Sequence, residues 1–221
     1  MKFMSCVAIA ALACAGGAAS ASTVTLAGGG APLTVEAGAP AGQNFVPQLI
    51  AAGGTTLFSG SSAPLTLTLS GDAVVTFSLV ASESGFNNQL SLGGSPIISE
   101  SLRFAALDDF TTGALAGTSF STVLSGGTDL AGLLTYSVGS TTFGSSDDEF
   151  GVFADASMTN ALTSFYLGLD DSGNASDDDH DDMIVRVDVE GVSAVPLPAA
   201  AWMLIAGLGG LFGLRKFRKT A

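Results

Sequence analysis

Between Leu65 and Leu69 apolar and polar residues alternate without a break, as Leu65-Thr66-Leu67-Thr68-Leu69. A period of two sets the leucines on one face of an extended segment and the threonines on the other, so the pattern predicts a strand with one wet face. Ser70-Gly71-Asp72 is a turn signal, and residues 73–80 read as a second strand, so the three pieces together predict a hairpin. Residues 89–92, 119–124, 133–138, 150–153, 164–169 and 183–189 read as further strands, separated by Asp, Gly and Ser clusters. Away from the termini no stretch sustains a helical period; residues 102–110 read as one short helix. Many short strands with turn-rich spacing predict an all-β domain, an antiparallel β-sandwich or jelly roll. No repeat of fixed period points to a solenoid.

Residues 22–63, poor in charge and rich in Gly, Ala and Pro, read as an N-terminal arm or as edge strands, with β-like pieces at 23–26 and 33–35. Residues 64–194 form the predicted sandwich ectodomain. High glycine invites a reading of disorder, but an apolar fraction of 47% argues for a folded core. Both cysteines, Cys6 and Cys14, sit near the N-terminus, so the ectodomain must rely on its core or on bound metal rather than on disulfides.

Charge is segregated. All twenty acidic residues lie between Glu36 and Glu190, where the basic residues are Arg103 and Arg186, leaving that segment at −18. Such a surface repels nucleic acid and anionic lipid, which excludes DNA and RNA as partners, and it attracts divalent cations.

The two ends read as targeting segments. Residues 1–21 have one early positive charge at Lys2, an apolar run over 7–13 and the small-residue site Ala19-Ser20-Ala21, which together predict a signal peptide helix cleaved before Ser22. Residues 195–221 begin Val195-Pro196-Leu197-Pro198-Ala199, continue as an apolar run over 199–214 and end in Arg215, Lys216, Arg218 and Lys219. The sixteen-residue run reaches about 24 Å as a helix, a little short of a hydrocarbon core of about 30 Å. It is predicted to be a transmembrane helix with its basic cluster cytoplasmic and the ectodomain on the far side.

This tail resembles the VPLPA variant of the PEP-CTERM sorting signal, which joins such a motif, a short helix and a basic end. The resemblance implies an alphaproteobacterial host and an exosortase-type membrane sorting enzyme as partner. It also implies passage through the inner membrane to the cell surface, and a link to exopolysaccharide and biofilm. The physical reading agrees: two prolines hold the preceding chain extended, presenting it to a protease at the membrane surface.

The most chemical segment runs from Asp170 to Asp182, with seven Asp and one Asn in thirteen positions. Two unit charges about 4 Å apart repel by about 1 kcal/mol even in water. A hard cation removes that cost, and with no thiolate available Ca2+ is the natural candidate. The loop is not an EF-hand: counted from Asp170, position 6 is Ala175 and position 12 is Asp181. It does resemble the acidic closing hairpin of PEP-CTERM ectodomains and DUF4114-type domains, in which an acidic run precedes a hydrophobic strand. That resemblance and the charge pattern together name Asp170, Asp177, Asp179, Asp181 and Asp182 as the expected calcium ligands. The cluster Asp147-Asp148-Glu149 is expected to face the same ion, and Asp108-Asp109 to form a turn. The block from Glu83 to Asn88 also resembles PEP-CTERM ectodomains; Asn87 and Asn88 read as turn formers first and as ligands second.

His180, the single histidine, is expected at the surface or as a secondary hydrogen-bond partner. No spacing pairs it with a nucleophile and an orienting group. The sequence therefore predicts a non-catalytic surface or extracellular-matrix protein. The alternatives are a carbohydrate-binding module, short of aromatic platforms because Trp202 lies in the tail, and a polysaccharide hydrolase using two carboxylates.

Overall fold

The computed structural model describes residues 21–29, 49, 56–60, 63–82, 86–100, 118–171 and 180–192. The signal peptide, the β-like piece at 33–35, the helix expected over 102–110 and the whole sorting tail lie outside the described residues. Among the described residues, no helix is long and apolar enough to cross a membrane.

The described residues are all-β apart from one 3-10 turn at Ala131–Leu133, and every strand among them pairs antiparallel. A six-stranded sheet contains, in spatial order, β2 (Thr56–Ser59), β10 (Phe150–Ala154), β11 (Ser164–Leu169), β12 (Met183–Gly191), β4 (Ala73–Ala81) and β7 (Ser119–Leu124). A four-stranded sheet runs β6 (Ser95–Ser99), β5 (Asn88–Leu92), β8 (Leu134–Val138) and β9 (Thr141–Gly144). The remaining pair joins β1 (Val24–Ala27) to β3 (Thr66–Leu69).

Alternation decides which residues go inside. In β12, Met183, Val185, Val187 and Val189 are buried, while Arg186 and Glu190 on the opposite face meet solvent. The matching residues of β4, β10 and β11 join them: Val75, Phe77, Phe150, Val152, Phe165 and Leu167. Leu26, Leu67 and Leu69 from the two-stranded sheet and Leu90, Ile98, Leu134 and Tyr136 from the four-stranded sheet complete the same core. Each fully buried Leu or Phe contributes about 1.5–3 kcal/mol, which suits a body without disulfides. A smaller apolar cluster lies elsewhere, where Leu49, Leu57, Val80, Ala81, Phe153, Tyr166 and Ile184 pack together.

One expectation needs correction. The strands on either side of Ser70-Gly71-Asp72 are not a hairpin. β3 pairs with β1, whereas β4 pairs with β12 and β7, so the turn crosses from one sheet to another. The turn residues specify a reversal of direction but not a ladder, and two apolar faces bury more area when shared between sheets than when laid side by side. Of the two readings of the N-terminal region, its described parts agree with edge strands. β1 is hydrogen-bonded into the body through Val24 and Leu162, and β2 forms an edge of the six-stranded sheet.

A β-bulge interrupts the pairing of β4 with β12. Val185 faces Leu79 but Ile184 faces Ala81, so Val80 is the extra residue. Val80 and Ala81 both join the smaller apolar cluster, and the residue after them, Ser82, is turned toward the end of the four-stranded sheet.

Candidate functional site

Residues from three connections meet at the end of the domain reached by this bulge. β11 ends and β12 begins at the facing pair Leu169 and Met183, so the acidic loop is the closure of one hairpin. The Asp182 N–H donates to the Leu169 carbonyl at 3.1 Å, and the Asp171 N–H donates to Asp182 Oδ2 at 2.7 Å. Asp170 and Asp181, both sequence-predicted ligands, are buried at this mouth, with Asp181 fully enclosed. Asp182, the third, spends a carboxylate oxygen on the hairpin backbone. Asp177 and Asp179 lie outside the described residues. Among the described residues, no three Asp, Glu, His or Cys side chains form a group that could hold a metal ion.

Three further residues at this mouth escaped the sequence reading as a set. Ser82, aimed inward by the bulge, donates its hydroxyl to Glu100 Oε1 and lies 2.8 Å from the Asp182 carbonyl. Glu100 donates its backbone N–H to the Asn88 carbonyl at 2.9 Å, extending the β5–β6 register Gln89↔Ser99 by one pair. Asn88 and Glu100 are thus cross-strand neighbours, and both side chains are buried. The Asn88 Nδ2 group donates to Asp171 Oδ2 at 2.9 Å, which ties the four-stranded sheet to the acidic hairpin. Burial pushes the Glu100 carboxyl up to about 7; hydrogen bonds from Ser82 and the Asn88 backbone oppose that rise, and the Asp171 charge adds to it. Asn88 Oδ1 and Glu100 Oε2 are buried with no hydrogen-bond partner. Asn88, which the sequence predicts as a turn former first and a ligand second, is the first residue of β5.

His180 is not a surface group. It is fully buried in a left-handed backbone conformation with φ of 59°, and its Nε2 lies 2.6 Å from the Asp148 carbonyl. A carbonyl only accepts, so Nε2 carries the proton. The ring lies over Gly151 and the main chain over Gly168, two glycines that face each other across β10 and β11. The residue is a plug on the sheet, and this ring nitrogen is engaged by backbone rather than by a hydroxyl nucleophile. The segment Asp147-Asp148-Glu149 lies beside the acidic hairpin, where the Asp170 N–H donates to the Glu149 carbonyl at 3.1 Å. Asp147 Oδ2 accepts from the Gly144 N–H at 2.7 Å, closing the turn after β9, and Asp148 Oδ1 accepts from Ser59 Oγ at 2.8 Å. Asp108 and Asp109 are outside the described residues.

A second polar feature lies on the solvent face of the six-stranded sheet. A shallow depression of about 520 Å³ is lined by Thr76, Ser164, Arg186, Asp188 and Glu190, among others. Arg186 and Asp188 form an ion pair there at 2.8 Å. Neither Tyr136 nor Tyr166 offers a ring face to solvent, as both are buried.

No protein-family model matches the chain, and neither a search of curated proteins nor one of solved structures finds a match.

Proposed function

We propose that the chain is an exported, non-catalytic surface or extracellular-matrix protein whose jelly-roll ectodomain is displayed after processing of its tail. The observation that carries this reading is the C-terminal succession of Val195-Pro196-Leu197-Pro198-Ala199, an apolar run and a basic end. The signal peptide starts export, and the short C-terminal helix holds the chain in the inner membrane with Arg215, Lys216, Arg218 and Lys219 in the cytoplasm. An exosortase-type enzyme then cuts near the proline motif and passes the domain to the cell surface, in association with exopolysaccharide. Mass spectrometry of the surface form tests this. The expected mass lacks both the first 21 residues and the segment containing Trp202; an intact C-terminus rejects the reading.

Ca2+ stabilises the acidic end of this domain. Buried carboxylates are costly without a compensating charge. Asp170, Asp181 and Asp182 stand at the hairpin mouth, and Asp177 and Asp179 in the loop belong to the same donor class, all oxygen and no sulfur.

A carbohydrate-binding role draws support from one feature, the depression lined by hydroxyls and the Arg186–Asp188 pair. A glycan array separates this role from that of a matrix component.

A further inference from the structure

At this mouth two neighbouring buried side chains, Asn88 and Glu100, each carry an oxygen without a hydrogen-bond partner. Ser82 has one hydroxyl proton, yet its Oγ stands in hydrogen-bond position to both Glu100 Oε1 and the Asp182 carbonyl. Asn88 turns its amide nitrogen to Asp171. Flipping the amide would set Oδ1 against a carboxylate oxygen, so the orientation is fixed and Oδ1 is the atom left unbonded. Asn88 is 1% exposed and Glu100 is 5% exposed, and each keeps one oxygen, Oδ1 and Oε2, without a donor. Side chains directly opposed on antiparallel strands have Cβ atoms about 4.5–5.5 Å apart, so the two orphan oxygens belong to neighbouring side chains. A buried acceptor left unsatisfied costs about 1–3 kcal/mol; a proton on Glu100 offsets part of that cost, and a bound cation offsets it for both oxygens.

We infer that Asn88 Oδ1 and Glu100 Oε2, with the Asp171 carboxylate beside them, form a seat for one calcium ion whose ligands differ from those of the Asp177–Asp182 run. The donor set fits the ion. Calcium takes six to eight oxygens in flexible geometry and accepts carboxylate, amide, carbonyl and water alike, whereas magnesium demands a stricter octahedron and dehydrates reluctantly. Two carboxylates, Glu100 and Asp171, balance its charge. The seat needs no third acidic side chain, because its other ligands are neutral oxygens. It bridges the β5–β6 hairpin to the β11–β12 hairpin, so an ion there fastens the four-stranded sheet to the six-stranded one. The inference rests on the calcium reading of this end of the domain but assigns the ion to different residues.

The test is calcium titration of the full chain in detergent after EDTA treatment, by calorimetry and melting temperature. The wild type, Glu100→Gln, Asn88→Ala and the double variant Asp177→Asn/Asp179→Asn are compared. The seat predicts that CaCl2 raises the wild-type melting temperature, and that Glu100→Gln and Asn88→Ala each weaken calcium affinity about tenfold or more. The loop double variant retains binding. Full affinity in both Glu100→Gln and Asn88→Ala, with loss in the loop variant, overturns the seat and leaves the loop reading standing. No calcium binding by the wild type overturns both. Should one of the two seat variants fail to fold, the other carries the comparison.

Discussion

The imidazole of His180 occupies the place that a side chain on Gly151 would need: a Cβ built there comes within 2.6 Å of His180 Cδ2. Across the ladder, a Cβ on Gly168 would strike the His180 carbonyl oxygen and come within 2.6 Å of Phe153 Cε2. A ring can tilt, but a main-chain carbonyl held by the hairpin cannot easily move. Gly168→Ala is therefore expected to destabilise the protein more than Gly151→Ala, with overpacking of this kind costing about 1–3 kcal/mol. Chemical denaturation of the two variants checks the order.

Tyr136 is fully buried, and its hydroxyl has no hydrogen-bond partner. Burial raises its pKa far above the usual phenol range, so it stays neutral. Removing the oxygen removes a desolvation cost while keeping the ring against Phe150, whose centroid is 5.7 Å away. Tyr136→Phe is expected to be neutral or stabilising by about 1 kcal/mol, read from the denaturation midpoint.

Phe77 stands on the strand next to the centre of the six-stranded sheet, fully buried and 6.5 Å from the Phe120 ring. Phe77→Ala is expected to cost about 3–5 kcal/mol through lost burial and a residual cavity. A change within about 0.5 kcal/mol of zero would contradict the shared core.

Without calcium, burial keeps the Glu100 carboxyl protonated up to about pH 7 in the folded chain, against 4.5 for an exposed glutamate. The folded state binds more protons than the unfolded state between those values, so stability falls as pH rises through that window and levels off above it. Melting curves in EDTA from pH 4.5 to 8 should show the decline, and Glu100→Gln should flatten this contribution.

Strands with clean alternation were legible in the sequence. β7 and β11 match their expected residues, and β12 extends the expected segment only from residue 189 to Gly191. β2, β6 and β9 were not read, because Thr56–Ser59, Ser95–Ser99 and Thr141–Gly144 are four or five residues long and show little periodicity to detect. Pairing was less legible than strand position, since a turn such as Ser70-Gly71-Asp72 does not reveal which sheet its second strand joins. The acidic half of the site announced itself by composition. Its other half did not: Ser82, Asn88 and Glu100 are ordinary polar residues in sequence, gathered by a bulge at Val80 and by one extra step of register beyond β6. A run of nine strand residues ending in the apolar stretch Leu79-Val80-Ala81, where alternation breaks, was the one available signal.

β12 is the last described strand in chain order, yet it lies between β11 and β4 in the interior of its sheet. Until residues 183–191 arrive, β4 and β11 each present an uncovered row of backbone donors and acceptors, the kind of edge that recruits stray strands. Assembly of the large sheet cannot be finished piecemeal from the N-terminal side. A chain made in that direction delivers its keystone late, so the large sheet closes in one concerted step rather than strand by strand.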